Sequence, residues 1–295
     1  MVGSFLNVCI YRIPKNKSLI HPRSFCPHCK VSINWFDNIP VISYMFLLGR
    51  CRACGNRLSI RYPLVELLTG CAFLQLYYIF IVCRSESFCV LFGYLALCCA
   101  LIISAFVDLE LRIIPNEITF IGIPVFVVLS IVCPDLHHAQ NTLRRFTFID
   151  IHRLDSFIAS LIGIFTGGGL IFLCGVMGKL LFKKDAMGFG DVKLMGMIGA
   201  VVGWKLAVAV FFVAPFFGLL MAIPVFVFKK SHLIPYGPFL SIAALVCICF
   251  QDYFIGQINL YILVFRVFFK WFSCLKMRYL SCQSTYSQTN LIFEK

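Results

Sequence analysis

Charge is what this chain has least of. Only 13% of its 295 residues are Asp, Glu, Lys or Arg, and the acids number 13. A water-soluble domain of this length cannot conceal a chain that is 60% hydrophobic, so lipid must solvate much of it. Other absences narrow the chemistry. There is no H-E-x-x-H and no Ser-His-Asp arrangement, which argues against zinc and serine proteolysis. No basic stretch leads into an apolar run with a small-residue cleavage site, so no secretory signal is expected. No fixed-period repeat and no low-complexity linker divides the chain. The net charge of +13 is not accompanied by a basic stripe interleaved with aromatics. Nucleic acid is therefore not an expected partner, and the basic residues are read as cytoplasmic loop charge.

What is present is a series of apolar runs. Tyr62–Cys83, Phe88–Val107, Ile118–Cys133, Phe157–Phe182, Leu206–Phe228 and Leu233–Phe250 read as spans, with a short segment at Leu194–Gly203. The opening stretch, Met1–Tyr11, is too short to cross a bilayer and reads as a first helix lacking its upstream half. The fold class expected is an all-α polytopic membrane protein. It has about eight transmembrane helices and a small cytoplasmic zinc-ribbon-like insertion. Residues 1–14 form the truncated first helix, 15–61 the insertion, 62–250 the membrane domain, and 251–295 an ambiguous hydrophobic segment with a polar tail.

Loop charge orients these spans. Between Lys15 and Arg61 lie eight Lys or Arg residues and one acid, Asp37, which puts that loop in the cytoplasm. Counting spans from there brings Asp108, Lys183, Lys184, Asp191, Lys229 and Lys230 to the same cytoplasmic face. The loop from Pro134 to Ser156 falls outside, with Arg144, Arg145 and Arg153 partly balanced by Asp135, Asp150 and Asp155.

Of the 16 cysteines, 12 are scattered, mostly through apolar runs, where Cys behaves as a small hydrophobe. The other four form Cys26-Pro-His-Cys29 and Cys51-Arg-Ala-Cys54 in the basic loop. Two such tight turns complete a tetrahedron around Zn, with no position open for substrate. The metal is therefore expected to be structural, with His28 a bystander. Redox pairs or unpaired thiols are the competing reading.

Two acids stand at the borders of apolar runs, where ionisable groups are costly. Asp108 opens Asp108-Leu-Glu-Leu-Arg-Ile-Ile-Pro-Asn116, and Asp191 closes Gly188-Phe-Gly-Asp191. Alone, Asp108 reads as a surface acid at a helix end and Asp191 as a helix cap. Together, on one membrane face, they can share a proton and hydrolyse a peptide through an activated water. Gly188 and Gly190 are expected to supply a sharp backbone and room for an extended substrate, and Lys193 to modulate the charge. Glu110 lies further into the loop and ranks below Asp108.

These residues resemble the prepilin leader peptidase/N-methyltransferase family, membrane aspartic proteases with a G-x-G-D motif. The resemblance runs through Gly3–Val8, Tyr11–Pro14, both C-x-x-C pairs, Asn38-Ile-Pro40, Arg61–Leu68, Asp108 with Ile114-Pro-Asn116, Ala186–Leu194 and Ile234–Leu240. It implies cytoplasmic-side cleavage of basic leaders from prepilin or pseudopilin precursors, with Asp108 and Asp191 as the catalytic pair. It also implies methylation of the new N-terminus from S-adenosylmethionine, a step associated with the cysteine insertion. Gly49 and Glu66 are candidates near that cofactor, against readings as a plain turn and a helix-start acid. The bacterial inner membrane is the implied location. Oligomeric state is left open.

Two other functions compete. A proton- or ion-coupled transporter needs acids deep within spans and broken, repeated helices, and neither is evident. A non-catalytic scaffold with a zinc-bound docking loop would leave precursors intact.

Overall fold

A computed structural model describes residues 1–21, 25–26, 28–32, 41–140, 152–183, 187–229 and 235–264. The described residues are helical, with isolated bridges at Phe25–Ser32 and Arg50–Arg57 and no longer strand among them. The first unit, Met1–Cys249, contains α1 (Val2–Arg12), α2 (Ile42–Phe46), α3 (Arg61–Tyr77), α4 (Phe88–Leu111), α5 (Asn116–Val132), α6 (His152–Phe182), α7 (Phe189–Lys229) and α8 (Gly237–Cys249). The second unit contributes α9 (Gln251–Val264), and the polar tail expected from Ser273 onward lies outside the described residues.

Four helical stretches are long and apolar enough to cross a membrane: Arg61–Cys83, Phe88–Leu111, Arg153–Leu181 and Phe189–Leu220. A fifth is reached if α8 and α9 count as one broken span. This is fewer than the eight expected. The shortfall comes from α1 and α5, which have only 11 and 17 residues, and from α7, which is continuous across two expected segments. A straight helix of 41 residues would be about 60 Å long, twice the hydrocarbon thickness. Gly203 breaks it, with φ 71 and ψ 178, at the residue where the short segment was expected to end.

Glycines set the central contact. Helices α6 and α7 pack closely along Gly163, Gly167 and Gly199. A Cβ on Gly163 or on Gly199 would overlap the carbonyl of the other, and one on Gly167 would lie 2.6 Å from the Met195 carbonyl. Ser160 Oγ donates to the Ala200 carbonyl at 2.9 Å in the same seam. Small residues at such a seam let two backbones meet in a lipid environment. Gly169 faces open space and takes no part.

Other helices carry the site. Helix α1 lies against α3, where Gly3 fits over Glu66 Cα and Asn7 Nδ2 donates to the Tyr62 carbonyl at 3.1 Å. Helix α8 packs on α4 and α7, and Ser241 Oγ donates to the Leu101 and Gly237 carbonyls.

One expectation for the scattered cysteines is overturned. Cys89, at the start of α4, and Cys133, just after α5, form a disulfide with Cα atoms 6.0 Å apart. The two lie 44 positions apart, so apolar character alone did not mark them as partners. They come together because α4 and α5 run antiparallel around the short turn at Arg112–Pro115.

Candidate active site and metal centre

Helix α4 does not end at Val107. It continues to Leu111, so Asp108 sits in its last turn and is only 6% exposed. Arg112 closes the helix in the left-handed conformation, φ 57, with its N–H donating to the Asp108 carbonyl. Pro115 then caps α5, whose first residue is Asn116. Glu110 points elsewhere: it forms an ion pair with Arg61 at the start of α3.

Asp191 lies in the first turn of α7 and is not its cap, and its N–H donates to the Gly188 carbonyl at 3.1 Å. Neither Gly188 nor Gly190 adopts a positive φ. Gly190 serves a close approach, and Gly188 stands at ordinary contact distance. A Cβ on Gly190 would stand 3.1 Å from Ile114 Cβ, and one on Gly188 would stand 3.5 Å from Asp191 Oδ2.

The two acidic blocks meet. Asp108 and Asp191 line one cavity of about 500 Å³, with Ile114, Gly188, Gly190 and Lys193 on its wall. Ile13, Pro14 and Asn16, at the start of the insertion, line the same cavity, so that end of the chain shares the face of the acids. Lys193 Nζ donates to Asn116 Oδ1 at 2.9 Å and lies over the rings of Phe120 and Phe189 at 4.4 and 4.9 Å. It ties the two blocks together, a role its sequence position did not reveal.

Sequence reasoning missed Gly237. Its N–H donates to Asp108 Oδ2 at 2.9 Å across 129 positions, and a Cβ there would stand 2.7 Å from the same oxygen. The only sequence signal was its place in Ile234–Leu240, which carried resemblance without a role.

The cysteine loop builds two equivalent turns. Cys26 N–H donates to the Val31 carbonyl and Cys51 N–H to the Asn56 carbonyl, both at 2.9 Å. The residue after each second cysteine, Lys30 or Gly55, has positive φ. The turns bring all four Sγ atoms within 4.8 Å of one another, and Cys26 Sγ lies 3.9 Å from Cys54 Sγ. A tetrahedral Zn with bonds of about 2.3 Å separates its sulfurs by about 3.8 Å, so the donor set fits that ion. The N–H groups of Cys54 and Ala53 stabilise the Cys51 thiolate and bring it down to about 7. At Cys29 the Val31 amide acts downward, but burial and the neighbouring thiols outweigh it and push the group up to about 11. His28 is exposed and stands outside the four-thiol cluster.

Gly49 and Glu66 have structural work in the same region. Gly49, at φ 68, lets the Tyr44 hydroxyl approach the turn before Cys51. Glu66 Oε2 accepts from the Val41 N–H at 2.9 Å, next to the first turn of α2.

Residues 1–80 match the bacterial peptidase A24 N-terminal domain, and residues 95–223 match the type IV leader peptidase family. The chain is 34% identical to a prepilin leader peptidase/N-methyltransferase of Myxococcus xanthus, over 75% of this chain and 59% of that relative. It is 30% identical to the Aeromonas hydrophila protein of that name, over 85% of this chain and 88% of the relative. Identity to the Bacillus subtilis protein is 29%, over 85% and 91% of the two chains. No solved structure matches. The chain belongs to the type IV leader peptidase family.

Proposed function

We propose that this protein is a membrane aspartic endopeptidase that removes leader peptides from prepilin or pseudopilin precursors and then methylates the new N-terminus. The observation that carries the reading is the convergence of Asp108 and Asp191 on one cavity. Relatives named for both activities support it.

Two neighbouring carboxylates cannot both ionise cheaply, so the pair holds one proton. The ionised member takes a proton from water, whose oxygen attacks the scissile carbonyl. The protonated member donates to the carbonyl oxygen as it gains charge. Collapse breaks the C–N bond, and the amine leaves with a proton from the pair. Gly188 and Gly190 are wall residues of the cavity beside the acids, where an extended peptide would lie, and Lys193 holds the two blocks in register.

Cys26, Cys29, Cys51 and Cys54 would hold one structural Zn, which folds the insertion and leaves no coordination position for substrate. S-adenosylmethionine is the methyl donor the family name implies. Gly49 and Glu66 shape the segment beside the Zn turns and are kept as candidates for positioning that donor.

The bacterial inner membrane, with the acids facing the cytoplasm, is the location that fits. Thiolate ligands need a reducing compartment and disulfides an oxidising one. Cys89–Cys133 caps the ends of α4 and α5 remote from Asp108 and Asn116, with about 28 Å of helix between Cys89 and Asp108. About eight spans result if α7 is divided at Gly203 and α1 and α5 are counted.

The test is incubation of the purified protein in detergent with a type IV prepilin, followed by mass analysis of the mature N-terminus. Cleavage at the leader boundary, with one methyl group added only when S-adenosylmethionine is present, supports the proposal. An intact precursor under all conditions counts against it.

A further inference from the structure

We propose that Gly237, the first residue of α8, is a positioning residue for the Asp108 carboxylate, acting through its backbone amide. The inference rests on the aspartic-peptidase reading above and adds to it a residue outside both acidic motifs.

The argument begins with helix ends. Asp108 occupies the last turn of α4, where unpaired carbonyls disfavour a negative side chain. The compensating donor comes from α8, whose first residue is Gly237. Helix N-termini carry unpaired amides and favour anions. Here the first turn is nearly exhausted. Pro238 has no N–H, and the Phe239 and Leu240 amides both turn back to the Tyr236 carbonyl. The Gly237 amide is the first-turn donor aimed at the acid, at 2.9 Å.

Glycine is required for that approach. A Cβ at 237 would lie 2.7 Å from Asp108 Oδ2, 3.3 Å from Cγ and 3.4 Å from Cβ, so any side chain pushes the carboxylate off its donor. The φ of Gly237 is not positive, so the need is for space and not for a special backbone conformation. Helix α8 has one further contact with α4, a long one of 3.3 Å from Ser241 Oγ to the Leu101 carbonyl, two turns before Asp108 and clear of the carboxylate.

The experiment compares wild type, Gly237→Ala, Ser241→Ala and Asp108→Asn in prepilin cleavage, with melting temperature measured for each. A carboxylate displaced by about 1 Å costs on the order of 100-fold. Gly237→Ala is expected to lose about that factor in kcat with KM within about threefold, because substrate contacts stay while the acid shifts. Ser241→Ala is expected to lower the melting temperature with little change in kcat. Retention of near wild-type kcat by a folded Gly237→Ala protein overturns the proposal. A wild type that cleaves nothing overturns the peptidase reading instead.

A second measurement needs no folded Gly237 variant. Tyr236–Gly237 is the one Tyr-Gly pair in the chain, so carbonyl-labelled Tyr with 15N-labelled Gly isolates this amide by NMR. Its proton resonance should move upfield in Asp108→Ala, where the acceptor is gone. An unchanged resonance shows that the amide does not serve Asp108.

Discussion

Lys193 Nζ reaches Asn116 Oδ1 at 2.9 Å, and this contact joins the start of α7 to the start of α5. Each of those helix starts carries one side of the acidic cavity. The contact is exposed, and solvent screening holds such contacts to about 1 kcal/mol or less. Lys193→Ala is therefore expected to reduce the kcat of precursor cleavage by about fivefold at most, with Lys193→Arg recovering part of it. Steady-state cleavage kinetics check this, and full activity in Lys193→Ala would show that the blocks hold register without it.

The α6–α7 seam should tolerate no side chain at Gly199. Gly199→Ala forces a methyl group against the Gly163 carbonyl, and overpacking of this kind costs about 1–3 kcal/mol. Gly169→Ala meets open space and gains helix propensity, so it should be neutral or slightly stabilising. Thermal unfolding in detergent separates the two. Equal melting temperatures would contradict the close approach.

Removing the metal should separate the two activities. Cys51→Ser combined with Cys54→Ser takes away half the thiolates, and elemental analysis is expected to show loss of one Zn per chain. Methylation should then fall further than cleavage, because the acids lie in the helical body and the thiolates in the insertion. Equal loss of both would mean that the loop supports the whole fold.

The disulfide gives an independent measure of orientation. In Cys133→Ala, the freed Cys89 thiol should react with a membrane-impermeant maleimide added to the outside of intact cells, with other accessible thiols controlled by a Cys89→Ala, Cys133→Ala double variant. Labelling of Cys89 from the cytoplasmic side alone would invert the topology.

The parts readable from sequence were local. Each C-x-x-C turn is closed by residues within a few positions of it, so spacing alone conveyed the four-thiolate cluster. The two acidic blocks were legible because each pairs an acid with glycine or proline at a helix border. What escaped were contacts set by packing. The Cys89–Cys133 pair depends on how α4 turns into α5, and Gly237 reaches Asp108 across 129 positions. The close fit of Gly190 against Ile114 joins residues 76 positions apart, which composition does not convey. The end of α4 was placed four residues early. Apolar character stops at Val107, while the helix is closed by the left-handed Arg112.

The most direct test of the central claim is the pair of substitutions Asp108→Asn and Asp191→Asn, each purified and incubated with prepilin. Mass analysis should find the leader uncut in both, with melting temperatures close to wild type. Release of the mature N-terminus by both variants at near wild-type rates would show that the two carboxylates do not perform the hydrolysis.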